Sequence, residues 1–247
     1  MRVITVDSPE AMGREAGAIV AAGMQATAHY VLGLATGSTP VPLYKELIRL
    51  HREEGLDFST AITFNLDEYI GLAPSHEQSY RYFMDSQLFE QVNIHPKHTH
   101  VPDGLAEDIE AHCLAYEMMI DDVGGIDCQV LGIGSNGHIA FNEPGSSLAS
   151  RTRAVELTES TIQDNSRFFD SIDEVPTRAI TMGIGTIMEA ERLLMLVSGS
   201  NKANALAAAL EGPVTARVPA SALQMHPDVT CVVTEDAATK LTLRYRS

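Results

Sequence analysis

Short apolar runs alternate along this chain with longer segments whose apolar residues recur at helical spacing. The runs at residues 1–6, 30–35, 61–66, 128–133, 179–184, 193–197 and 229–233 are apolar almost throughout. That predicts strands buried on both faces, as in a parallel sheet. A shorter run at 216–219 predicts one more strand. Between them, helices are predicted from Ser8 to about His29, from Pro40 to about His51, and over residues 79–89, 108–123, 158–169 and 186–191. A further helix starts at Asn201, and a last one covers 235–246. Ser8 before Pro9 marks an N-cap and a first helical position. Ser38 or Thr39 is expected to cap the second helix, and Asn201 the one that carries Lys202 in its first turn. Residues 92–104 read as a loop, and 151–180 as an excursion from the main sheet that could form a lid. Strands alternating with helices and glycine turns predict an α/β fold: a wound, mostly parallel, Rossmann-like sheet with helices on both faces. The expected organisation is one domain over residues 1–247, with a helical lid at about 151–180.

Composition narrows the function classes. The 247 residues are 45% hydrophobic and 20% charged, as in ordinary soluble proteins. No run is long enough to span a bilayer, and the N-terminus lacks a secretory apolar region, so a cytoplasmic location is expected. Lys and Arg number 17 against 33 Asp and Glu, a formal charge of −16. That opposes a nucleic-acid partner, which would need a basic surface. It leaves room for a small phosphorylated substrate held by a local cluster of donors. Cys113, Cys128 and Cys231 are widely spaced and read as buried, reduced thiols. His95, His98 and His100 could suggest a metal, but no cysteine or carboxylate completes a ligand set nearby, which favours a solvated loop.

Candidate chemistry concentrates where strands end. The run at 128–133 leads into Gly132, Gly134 and Gly137, then His138 and Glu143. The glycines free the backbone for a sharp turn and a close approach to a ligand. Their spacing also fits a dinucleotide fingerprint, with Glu156 at about the ribose-acid distance. That fingerprint needs a helix after the third glycine, and Pro144-Gly145 disfavours one. A purely structural turn remains open on this stretch alone. Thr36-Gly37-Ser38-Thr39-Pro40 joins a strand to a helix N-terminus, a corner suited to an anion. Pro40 and Pro42 lack N–H groups, so Gly37, Ser38 and Thr39 would make the contact. A ligand-free corner fits that segment equally well. Asp67 and Glu68 close the third run; side chains alternate there, and Asp67 is favoured to face a site. Lys202, in a first turn where the helix dipole disfavours cations, suggests an anionic ligand. In wound sheets the strand C-termini gather on one edge. That edge would collect the Thr36–Thr39 loop, Asp67, His138, Glu143 and Lys202, with Arg167 reaching in from the lid.

These residues also carry a likeness to a known family. Leu32-Gly33-Leu34-Ala35-Thr36-Gly37-Ser38-Thr39-Pro40, Asn65-Leu66-Asp67-Glu68-Tyr69, Gly137-His138-Ile139-Ala140-Phe141-Asn142-Glu143-Pro144, Asn165-Ser166-Arg167-Phe168-Phe169 and Gly199-Ser200-Asn201-Lys202 resemble glucosamine-6-phosphate deaminases, nearly end to end. The related 6-phosphogluconolactonases share the glycine loop and a Gly-His, without the Phe-Asn-Glu-Pro continuation. The resemblance implies conversion of glucosamine 6-phosphate and water to fructose 6-phosphate and ammonia, with no metal or organic cofactor. It implies that His138 moves a proton at the ring oxygen, Glu143 orients that imidazole, and Asp67 carries a proton from C2 to C1. It implies a phosphate held on Gly37, Ser38 and Thr39 and clamped by Arg167 and Lys202. Asn136 stands where some members have an aspartate, and it lends His138 no negative charge. Regulated members are hexamers activated by N-acetylglucosamine 6-phosphate, so a homo-oligomer is possible. Ser146, Ser147, Arg153 and Tyr245 match their effector site, but Val155 replaces an expected lysine, which puts activation in doubt. A lactonase and a non-catalytic sugar-phosphate-binding regulator are the alternatives.

Overall fold

The computed structural model describes residues 1–166, 169, 171, 174–243 and 245. Seven strands form one parallel sheet: β1 (Arg2–Val6), β2 (Val31–Leu34), β3 (Ile62–Asn65), β5 (Thr99–His100), β6 (Cys128–Leu131), β9 (Leu193–Val197) and β10 (Val229–Thr234). Their order is β1-β10-β9-β6-β2-β3-β5. β2, β6, β9 and β10 are buried at every position, which is why they read as unbroken apolar runs. Each fully buried Leu or Val there contributes about 2 kcal/mol of hydrophobic stabilisation. From β2 the chain winds outward to β3 and β5, then returns to β6 on the other side of β2. The winding therefore reverses between β2 and β6, where wound sheets leave a crevice at the strand C-termini.

Helices cover the sheet. α1 (Pro9–Ala26) begins as expected, with Ser8 Oγ accepting from the Ala11 N–H, but ends before His29. It packs on α2 (Val41–Glu54) through glycine: a Cβ at Gly13 would lie 2.5 Å from the Pro42 backbone. The remaining helices are α3 (Tyr80–Gln87), α4 (Ile109–Asp122), α5 (Glu159–Asn165), α6 (Ile184–Met188) and α7 (Ala203–Glu211). No helix among the described residues is long and apolar enough to cross a membrane.

A second, antiparallel sheet is ordered β4 (Asp67–Tyr69), β8 (Arg178–Thr181), β7 (Arg153–Glu156). The run at 179–184 thus lies in this small sheet and not in the main one. Its own apolar cluster joins Tyr69, Phe141, Leu157 and Ala179. The sheet is pinned to the main one where the Met182 N–H donates to the Leu66 carbonyl at 2.6 Å.

Four further expectations are corrected. Residues 216–219 are not a strand: the Val218 N–H closes a turn onto the Thr215 carbonyl, and a 3-10 helix, Pro219–Met225, follows. Residues 235–240 form turns and no helix, with the Asp236 carboxylate taking the Thr234 hydroxyl and the Ala237 N–H. Pro40, not Ser38 or Thr39, is the N-cap residue of α2, and no side chain caps that end. Lys202, not Asn201, is the N-cap residue of α7, after a 3-10 turn at Ser200–Lys202.

Candidate active site

The loops after β2, β6 and β9 lie side by side on the C-terminal edge, because those strands are neighbours. After β6 the chain closes a tight turn: the Gly137 N–H donates to the Gly134 carbonyl and the Gly134 N–H to the His138 carbonyl, at 3.0 and 2.9 Å. Gly137 has φ +87, and a Cβ at Gly134 would sit 2.2 Å from the His138 ring. Glycine at 134 is what lets the imidazole fold back onto its own loop. Ala140 also has a positive φ, 49, a strained setting for a residue with a side chain. No helix opens after Gly137; the next regular element is β7. The dinucleotide geometry is therefore missing.

His138, Asn136 and Glu143 form one hydrogen-bonded chain. His138 Nδ1 lies 2.7 Å from Asn136 Oδ1, and Asn136 Nδ2 donates to Glu143 Oε2 at 2.7 Å. The amide oxygen can only accept, so Nδ1 carries a proton in either charge state, and in the neutral ring Nε2 presents a lone pair. Glu143 Oε1 lies 3.5 Å from Nδ1 and accepts the Thr161 hydroxyl at 2.8 Å. Burial alone would raise the Glu143 carboxyl. The hydrogen bond and charge of His138, the Asn136 amide and the Thr161 hydroxyl outweigh it and hold the carboxyl at about 2.

Asp67 has the opposite setting. It is 7% exposed, and among the described residues no hydrogen bond reaches its carboxylate. Burial, then the charge of neighbouring Glu68, pushes it up to about 8. Glu68 is spent on structure: it accepts the backbone N–H groups of Tyr69, Tyr80 and Arg81 and so anchors α3. The alternation read from the sequence thus separates the two acids. Asp67 and the imidazole loop meet on β8. Asp67 pairs with Thr181, whose Oγ1 accepts the Phe141 N–H at 3.1 Å. Asn142, fully buried, donates to the Met182 carbonyl at 2.8 Å. Two carboxylates driven apart in this way suit different work: one able to take up a proton near neutrality, one fixed as an anion.

The anion corner is open. Gly37 has φ +88 with free space where a Cβ would be, and Gly37 and Ser38 are exposed. Thr39 is half-buried at the uncapped start of α2. Tyr80, whose ring lies against Tyr69 and Phe141, reaches the Thr36 side chain with its hydroxyl. Lys202 follows Gly199 (φ 101) in the loop after β9. Arg167 lies outside the described residues.

Of the residues that match the family's effector site, Arg153 donates to Asn142 Oδ1 at 2.9 Å and to Ser146 Oγ at 3.4 Å. Ser147 Oγ accepts the Ala149 N–H, and Tyr245 donates to Glu211 at 3.2 Å. The structure joins Ser146 to Arg153 and ties Tyr245 to the end of α7. In the histidine loop, His95 accepts the Lys97 N–H and His100 stacks on Phe64 at 4.6 Å. His100 belongs to edge strand β5, so that stretch is not all loop. All three cysteines are free and buried. Sequence reasoning missed Thr161, Thr181 and the buried Asn142. Their polar side chains were visible, but their partners lie 18 to 40 residues away in sequence.

Comparison with known proteins agrees with this geometry. A glucosamine-6-phosphate deaminase of Hahella chejuensis (strain KCTC 2396) is 54% identical over 243 residues, covering 98% of this chain and 93% of that protein. One of Clostridium perfringens (strain SM101 / Type A) is 52% identical over 238 residues, covering 96% and 98%. A solved structure of a monomeric glucosamine-6-phosphate deaminase, described as a missing link of the NagB superfamily, superposes with a TM-score of 0.95. It is 45% identical and covers 98% of this chain and 100% of its own. Residues 7–232 match the family described as glucosamine-6-phosphate isomerases/6-phosphogluconolactonase, and the chain belongs to that family.

Proposed function

We propose that this protein isomerises and deaminates glucosamine 6-phosphate, giving fructose 6-phosphate and ammonia. The observation that carries the reading is that β8 joins two parts of the site through Thr181: this residue pairs with Asp67, a buried carboxyl poised near neutrality, and its hydroxyl accepts the Phe141 N–H from the loop that carries His138. The names of relatives at about half identity over nearly the whole chain support it.

The steps follow from those groups. The phosphate sits on the N–H groups of Gly37, Ser38 and Thr39, with Lys202 and Arg167 as cations. Anchoring it there lets remote binding energy orient the sugar. His138 moves a proton onto the ring oxygen as the C1 hydroxyl loses its own, which opens the pyranose. Asn136 and Glu143 hold the imidazole in the tautomer this needs. Asp67, ionised, removes the proton from C2 as O1 takes one up, which gives an enolamine, and returns it to C1 as the amino group gives one up. The resulting C2 imine adds water and releases ammonia. The segment at about 151–180 serves as a lid, a role supported by the contact of α5 with Glu143.

Ammonia release from glucosamine 6-phosphate by the purified protein tests the reading directly. Release that Asp67→Asn lowers by about 100- to 10,000-fold is the expected result, the range a general base contributes. A folded protein that releases no ammonia but hydrolyses 6-phosphogluconolactone would move it to the other branch of its family. Binding without turnover of either compound would indicate a regulator.

A further inference from the structure

We infer that Thr161 is a positioning residue of the active site, the link through which helix α5 sets the orientation of Glu143 and, through Asn136, the tautomer of His138. The inference rests on the reaction proposed above.

The argument is one of hydrogen-bond direction. A carboxylate only accepts, so in the 2.8 Å contact the Thr161 hydroxyl donates to Glu143 Oε1. Its single proton is then used. In the 3.0 Å contact between Thr158 and Thr161 the donor must therefore be Thr158. On the far side, Glu143 Oε2 accepts from Asn136 Nδ2, which fixes the amide with its oxygen toward Nδ1. A single directed chain thus runs from the Thr158 cap of α5 through Thr161, Glu143 and Asn136 to the proton on His138 Nδ1. Each link leaves the next only one orientation, and the last leaves Nε2 as the acceptor.

Glu143 stands on an irregular loop after β6, and among the described residues its carboxylate is met by Asn136, Thr161 and His138 and by no group of the sheet below. Without Thr161, Oε2 is held by Asn136 and Oε1 only by the long 3.5 Å contact with His138 Nδ1, which leaves the carboxylate room to rotate about its own axis. The Thr161 hydroxyl holds the second oxygen and removes that freedom. Hydrogen bonds to ionised groups are among the stronger ones in proteins, so the loss is measurable. The geometry also gives α5 a reason to be built from this sequence. Thr158 caps its first turn by accepting the Thr161 N–H, which directs the Thr161 side chain outward from that turn.

Two substitutions and two readouts test this. Thr161→Val keeps the shape and removes the donor; Thr161→Ser keeps the donor and removes the methyl group. For ammonia release from glucosamine 6-phosphate, T161V is expected to lower kcat about tenfold with KM within about twofold. T161S is expected to restore kcat to within about threefold of the parent. Independently of turnover, nitrogen-15 NMR of His138 should report the Nδ1–H form in the parent and T161S, and a mixture with the Nε2–H form in T161V. T161V with parental kcat and an unmixed tautomer would overturn the inference. So would equal impairment of T161V and T161S, which would assign the effect to the methyl group's packing. If the parent protein itself releases no ammonia, the proposed reaction fails, while the NMR comparison still decides the role of Thr161.

Discussion

Asp67 sits in an environment far from the one an aspartate has in water. An aspartate in an unfolded chain ionises near pH ~4. In the fold, burial and then the charge of Glu68 hold Asp67 to about 8. Between those values the native protein keeps a proton that the unfolded chain has released. Stability therefore falls as pH rises from about 4 to about 8 and is level above that. Asp67→Asn removes this dependence. Its stability advantage over the parent should be small at pH 5 and grow to several kcal/mol at pH 9, with about 5 kcal/mol as an upper bound. Urea denaturation of both proteins at the two pH values measures it, and a difference that does not change with pH would contradict the burial argument. The same group governs kinetics: kcat/KM should rise with pH and level off near 8 as the free enzyme's base ionises. Glu143, held at about 2, stays ionised throughout and adds no limb of its own to that profile.

At the scale of elements, packing depends on close approach as well as on apolar pattern. Gly13 on α1 faces the Pro42 backbone at the start of α2, and Gly17 faces Glu46 one turn on. A Cβ at Gly13 would fall 2.5 Å from backbone atoms that cannot move aside like a side chain. Gly13→Ala should therefore cost about 2 kcal/mol, inside the range for overpacking, and lower the melting temperature by roughly 5 °C. The displaced helix is the one that ends the anion corner, so KM for the sugar phosphate should rise while kcat holds. An alanine variant as stable as the parent would mean that α1 can slide without cost. This contact also marks the limit of what periodicity reveals. β2, β6, β9 and β10 were legible because burial on both faces leaves an unmistakable apolar run. β4 and β7 were not: Asp-Glu-Tyr and Arg-Ala-Val-Glu are polar, three and four residues long, and become strands only by pairing with β8. The run at 216–219 failed for the converse reason: Val218 closes a turn and Pro219 opens a 3-10 helix, so its apolar residues pack without a ladder. In the site, glycines, His138 and the acids announced themselves by type. The hydroxyls of Thr161 and Thr181 could not, since a threonine's role lies wholly in what the fold sets beside it.

At the scale of the molecule, the candidate site draws on loops far apart in sequence. The Thr36–Thr39 corner, Asp67, the His138 loop and Lys202 belong to neighbouring elements of one sheet edge and the small sheet against it. A glucosamine-6-phosphate deaminase described as monomeric superposes over 98% of this chain. An effector would need a second cationic pocket, and the residues that would form it are already hydrogen-bonded within the fold. Arg153 is bound to Asn142 and Ser146, with burial lowering its affinity for a proton. Tyr245 is bound to Glu211 on α7. Two positions after Arg153, on the same face of β7, a lysine would have supplied a second charge. Val155 stands there and packs against the cluster of Tyr69 and Phe141. One half-buried guanidinium with a valine in place of the neighbouring lysine is a poor receptor for a dianionic phosphate. The protein should therefore follow hyperbolic kinetics in glucosamine 6-phosphate. Millimolar N-acetylglucosamine 6-phosphate should leave kcat unchanged and raise KM at most modestly, by competing for the one phosphate corner. Initial rates across a substrate series, with and without that compound, decide the matter. Sigmoidal curves that the compound makes hyperbolic would show that a second site is built from contacts between copies.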